Sequence, residues 1–159
     1  MESIEITRIP EEEREESIRV ERLSQPVSGL QLPPSASVAE VDVQGSRFLV
    51  FRQVIDADRV RQAVRESIEA GKLGASWSRW EADAEVAVAV ACDSEDLTPA
   101  LFTFLPMGSG APAPLHGFLN APFYTKLARM DLDEDVPLNS FLLDRGADVN
   151  EKDTPGYTP

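Results

Sequence analysis

The side chains equipped for chemistry are few, and most lie between Leu101 and Asn139. That stretch holds the chain's one histidine, His116, a basic pair, Lys126 and Arg129, and an acidic tract, Asp131, Asp133, Glu134 and Asp135. Acyl transfer by a Ser/His/Asp set would have to use His116, yet no G-x-S-x-G elbow precedes a helix, and Gly108-Ser109-Gly110-Ala111-Pro112 lacks that spacing. A phosphate cradle needs consecutive backbone N–H donors, which Pro112 and Pro114 remove from the same loop, and no G-x-x-x-x-G-K-S/T sequence exists. One cysteine and one histidine cannot complete a four-ligand zinc site. Cys92 has no second histidine to orient and activate it, so at the end of an alternating strand it is expected to be a small buried apolar group. The acidic tract breaks the calcium-loop frame, because Glu134 fills the fourth slot and no glycine follows. It is expected to form an exposed turn before a helix opened by Pro137. His116 is expected to bond a backbone carbonyl rather than to titrate near neutrality. Trp77 and Trp80 are expected to cover the edge of a core.

The frame that must hold these residues is about one domain long, at 159 residues. Its net charge of −13 is concentrated at the ends: residues 1–16 carry seven acidic and two basic side chains, and residues 131–153 carry eight and two. The middle is nearly balanced, with thirteen against eleven. That distribution argues against a nucleic-acid partner, since a duplex-binding face needs clustered Lys and Arg to displace counterions. No apolar run reaches the roughly 18 residues of a membrane span, and the N-terminus has no apolar segment of signal-peptide type. The expected setting is a soluble protein of the reducing cytoplasm, with no membrane partner.

In chain order, Ile4 and Ile6, then Ile18 and Val20, alternate with polar residues on either side of a Glu-rich run. They form either two arms of a hairpin with a charged tip or a frayed terminus. Residues 24–36 read as a connector. The runs VAEVDV and RFLVFRQV flank Gln44-Gly45-Ser46 and predict a tight hairpin with Gly45 at positive φ. Asp56 offers an N-cap to a helix over 56–70, with Val60, Ala63, Val64, Ser67 and Ile68 on one face and Gly71 as C-cap. Residues 85–92 alternate Val86, Val88 and Val90 with Ala87, Ala89 and Ala91, and the small face is expected to let the 56–70 helix lie close. A strand over 101–105 should end at Pro106, after which the chain turns back into a second strand over 115–119. The fold class is therefore α/β (α+β): a mixed, largely antiparallel sheet with one main helix and a short C-terminal helix over 137–145.

The block LFTFLPMGSGAPAPLHGFLNAPFYTKLARMDLDEDVPLNSFLLD, with GKLGASWSRWEADAEVAVAV upstream, resembles a segment of bacterial sacsin-related ATPases of the GHKL superfamily, which also holds gyrases, heat-shock chaperones and histidine kinases. The resemblance spans about Val38 to Asp144 and rests on the order F-L-P, then H-G, then A-P-F-x-T-K. It is to the region following the nucleotide-binding domain. The D-x-G-x-G loop, the acidic and Asn-bearing helix and the glycine-rich lid that make that superfamily's ATP site are missing from this sequence. The resemblance therefore implies no cofactor for this chain alone, and ATP only when a nucleotide-binding domain is joined to it. It also implies that Lys126 or Arg129 reaches the γ-phosphate of such a partner.

From Phe141 the sequence FLLDRGADVNEKDTPGYTP resembles part of an ankyrin repeat. That likeness implies that Gly146 ends a helix in the left-handed conformation and that Asp148, Asn150, Asp153 and Gly156 lie in the projecting turn, with Thr158 and Pro159 starting a further helix. A single incomplete repeat cannot bury its own face, so the tail should be loosely docked or disordered. Three parts are expected: 1–36, charged hairpin and connector; 37–140, the α/β core; and 141–159, the ankyrin-like tail. The expected function is a noncatalytic coupling or scaffold segment, with an ATPase domain or another protein as partner. The alternative is a truncated ankyrin-type interaction module.

Overall fold

Opposed hydrophobic patterns, period two on either side of a helical stretch, become one sheet carrying two helices on one face. The computed structural model describes residues 2–8, 16–29, 31–93, 98–103, 105–108, 113, 116–125 and 131–151. Among these, the strands are β1 (Glu2–Arg8), β2 (Glu16–Pro26), β3 (Ala36–Val43), β4 (Ser46–Ile55), β5 (Ala84–Ala91), β6 (Ala100–Thr103), β7 (Leu105–Pro106) and β8 (Phe118–Asn120). The helices are α1 (Ala57–Glu69) and α2 (Pro137–Glu151), with a short 3-10 turn over Ala75–Arg79. Sheet order is β1-β2-β3-β4-β5-β8-β6-β7. Every pairing is antiparallel except β6 with β8. The α+β class read from the sequence is the class observed.

The β3–β4 hairpin closes on Gln44 and Gly45, both at positive φ (54° and 84°), the pattern of a two-residue turn whose twist matches the strands. The Gly45 N–H also donates to Asp42 Oδ1 at 2.8 Å. At the far end of β4, Asp56 caps α1 by accepting from the Asp58 N–H at 2.7 Å. The helix ends in a Schellman motif: Gly71, at φ 70°, donates to Ile68 O, and Lys72 donates to Ser67 O, both at 2.9 Å. The expected stop at Gly71 is thus observed, with Ala70 as the cap residue itself.

The core lies between the helices and one face of the sheet. Val86, Val88 and Leu119 from β5 and β8 meet Val60, Val64, Leu138 and Leu142 from α1 and α2, all essentially inaccessible to solvent. The helices therefore sit on the valine side of β5, not on the alanine side where the small residues were expected to receive them. Neighbouring strands explain the choice. Register puts Phe48 opposite Ala91 and Phe118 opposite Ala89, on the two strands flanking β5. Those strands are about 9–10 Å apart, yet the two rings approach to 6.1 Å because only alanines lie between them. Phe102 continues the row, edge-on to Phe118 at 5.5 Å.

Three further expectations are corrected. The 101–105 strand divides into β6 and β7, which pair with each other, and β8 runs parallel to β6 rather than returning against it. Pro106 sits in the edge strand β7, where its missing N–H costs no ladder bond. Cys92 lies past the end of β5 and is exposed, beside Asp93, whose carboxylate accepts from Arg47 Nε at 2.9 Å and Nη2 at 2.6 Å. That hydrogen bond holds the Asp93 carboxyl below the usual carboxylate range.

The third correction concerns the C-terminus. Helix α2 does not stop near residue 145; it passes through Gly146 and carries Asp148 and Asn150 within it, so the turn implied by the ankyrin likeness is not formed there. The boundary expected at 140/141 falls inside α2, with Leu138 and Leu142 both in the core. Asp153 and Gly156 lie outside the described residues. Gly146 serves packing instead: a Cβ there would stand 2.7 Å from Leu119 Cδ1 and 3.0 Å from Cδ2. Gly146→Ala is therefore expected to destabilise the fold by about 1–3 kcal/mol in chemical denaturation despite its better helix propensity. Leu119→Val in the same chain should cost less than it does alone, because the shorter side chain admits the new methyl group.

Candidate functional site

The acidic and aromatic residues singled out in the sequence converge where α1, α2 and the segment after β8 meet. Ser67 is the first fastening. It stands on the buried face of α1, donates its hydroxyl to Ala63 O at 2.7 Å, and accepts the Leu138 N–H at 2.9 Å. A helix begins with N–H groups that have no partner of their own, and α1 supplies one of them for α2.

Asn139 is the second fastening and is fully buried. Its Oδ1 accepts from the Tyr124 N–H, and its Nδ2 donates to Tyr124 O and Asp133 O, each at 2.9 Å. One amide thereby mimics a strand partner for Tyr124 and also pins the acidic turn. The turn is further held by Asp133 Oδ1, which accepts the Asp135 N–H at 3.1 Å. Lys72, just beyond α1, places Nζ 3.7 Å from Asp133 and 3.8 Å from Asp135.

Around this knot the aromatics stack outward. Phe123 is buried in the core, and Tyr124 meets Trp77 edge-on at 5.4 Å. Trp77 stacks on Trp80 at 6.0 Å and 13°. Both tryptophans are half-buried against the core, as the sequence suggested. Trp80 forms one wall of an open cleft of about 430 Å³ completed by Asp83, Glu85, Asn120 and Pro122. Asp83 is committed to the Ala57 N–H at 2.9 Å, and Glu85 faces Arg52 at 3.7 Å.

His116 is exposed two residues before β8. Lys126 and Arg129 lie outside the described residues; the described chain ends at Thr125 and resumes at Asp131. No three His, Cys, Asp or Glu side chains among the described residues gather to hold a metal ion. None of the described helices is long and apolar enough to cross a membrane. The buried hydroxyl of Ser67 is occupied by two backbone partners, an arrangement for holding helices rather than for attack on a substrate. No protein-family model, curated protein or solved structure matches the chain.

Sequence reasoning singled out neither Ser67 nor Asn139 as a site residue. Ser67 was visible as a hydroxyl within an otherwise apolar helical stripe, and Asn139 as a lone amide inside VPLNSFLL. Asn139→Ala is expected to lower stability by about 1–3 kcal/mol, because it leaves the Tyr124 N–H and carbonyl without their partner, while Asp133 O keeps the Val136 N–H. Asn139→Asp sharpens the test. An ionised carboxylate keeps the Tyr124 N–H but faces two carbonyl oxygens, so its folded-state pKa should rise above the unfolded value near 4. The sign follows: its stability deficit should be full well above that raised pKa and shrink as pH falls toward about 4. Urea titrations at several pH values on both chains would read this difference.

Proposed function

We propose that this chain is a noncatalytic coupling segment of a GHKL-type ATPase, the α+β body that follows a nucleotide-binding domain and relates its state to a protein partner. The order of the F-L-P, H-G and A-P-F-x-T-K elements supports the assignment, and the absence of the D-x-G-x-G and lid sequences supports a role without nucleotide binding of its own. The observation that carries the reading is the clasp on Tyr124. Asn139 fixes both backbone groups of Tyr124, two positions before Lys126 in the sequence. A cation supplied by this segment suits stabilisation of charge on a γ-phosphate held by a neighbouring domain.

Two measurements test the proposal. Labelled ATP titrated into the isolated chain should show no micromolar binding; saturable binding would contradict a segment that lacks the site. In an ATPase in which this segment is joined to a nucleotide-binding domain, Lys126→Ala with Arg129→Ala should lower turnover by roughly tenfold or more. Unchanged turnover would remove the basic pair from the mechanism. The alternative of an ankyrin-type module gains no support from α2, which continues as helix through the positions where the finger should begin.

A further inference from the structure

The N-terminal strands form a ribbon that overhangs the sheet. β2 pairs with β1 through residues 16–22 and with β3 through residues 22–26, so the two ladders share only Arg22. The β1–β2 part therefore extends past the β3 edge by six residue steps, roughly 20 Å. Two strands alone are marginally stable in water, and among the described residues nothing pairs with the outer edge of β1.

We infer that this edge pairs with the β1 edge of a second copy of the chain, antiparallel about a two-fold axis at Glu5, joining two sheets into one. The sequence of β1, Glu-Ser-Ile-Glu-Ile-Thr-Arg, is complementary to itself in that register. Glu2 of one copy falls opposite Arg8 of the other, Ser3 opposite Thr7, and Ile4 opposite Ile6. Moving the axis one residue, to Ile4 or Ile6, sets a charged residue against an isoleucine at the ends.

The observed β1–β2 register extends the match to four strands. It sets Arg22 opposite Glu2 and Glu16 opposite Arg8. Across the dimer the row becomes Arg22, Glu2, then Arg8 and Glu16 of the second copy, alternating in sign. The next apolar row is Val20, Ile4, then Ile6 and Ile18 of the second copy. Opposite charges and β-branched pairs directly across a ladder are the stabilising combinations in antiparallel sheets. The one like-charge meeting, Glu5 with its own copy, is flanked on both sides by Arg19, which register places opposite Glu5 within each chain. Glu2, Glu5 and Arg8 leave β1 itself with a net charge of −1, and the remaining −4 of residues 1–16 belongs to the Glu-rich run that follows it.

The full chain tests the inference in two ways. Sedimentation of the unaltered protein over a concentration series should show a monomer–dimer equilibrium; a monomer throughout overturns the proposal. Register is then read by cross-linking on a Cys92→Ser background, which removes the one native thiol. Glu5→Cys puts two sulfurs across the axis with Cα atoms about 4.5–5.5 Å apart, within disulfide range. Thr7→Cys puts them about 13 Å apart, beyond it. Mild oxidation should yield a covalent dimer of the first variant, at least tenfold over the second. Equal yields, or a dimer in which neither variant cross-links, would show that another surface joins the copies.

Discussion

Two buried polar side chains, Ser67 and Asn139, fasten α1, α2 and the segment after β8 to one another, and the packing of the helical layer follows from them. An apolar core alone would accept α2 at several angles and heights, because dispersion and water exclusion have little directional preference. The hydrogen bond from the Leu138 N–H to Ser67 Oγ sets the start of α2 against the last turn of α1. The Asn139 amide then sets the same turn of α2 against Tyr124 and Asp133. Buried groups of this kind stabilise only when every donor and acceptor is met. Here the Asn139 amide bonds through both its oxygen and its nitrogen, and the Ser67 hydroxyl both donates and accepts.

The sheet beneath divides its labour between faces. β5 gives its valines to the helices and its alanines to the opposite side, where Phe48 and Phe118 lean together across it. A strand with bulky residues on both faces would hold those rings apart, and one with alanine toward the helices would leave space above Val60 and Val64. The alternation in EVAVAVAC therefore serves two layers at once, one of aliphatic side chains under helices and one of aromatic rings.

Local physics made much of this legible in the sequence. The Gln44-Gly45 turn, the Asp56 cap, the Gly71 stop and the strands around them follow from backbone rules that act over a few residues. What escaped depended on residues distant in sequence. Which side of β5 faces the helices is decided by Phe48 and Phe118, on strands that the chain order does not show to be its neighbours. The parallel course of β8 beside β6 is likewise a matter of which strand fills the gap next to β5. Gly146 was misleading because a glycine late in a helix usually marks a left-handed stop, and here its lack of a side chain makes room for Leu119. Ser67 and Asn139 were visible as polar residues in apolar runs, but their partners lie 71 and 15 positions away.

The meeting of Gly146 with Leu119 also governs movement. A leucine lodged where only hydrogen fits acts as a detent: α2 cannot slide along the sheet by a turn, or roll about its axis, without lifting off the floor beneath it. The helix and β8 must then shift together, as a single lever arm. A displacement of α2 is thereby passed to β8 through Leu119.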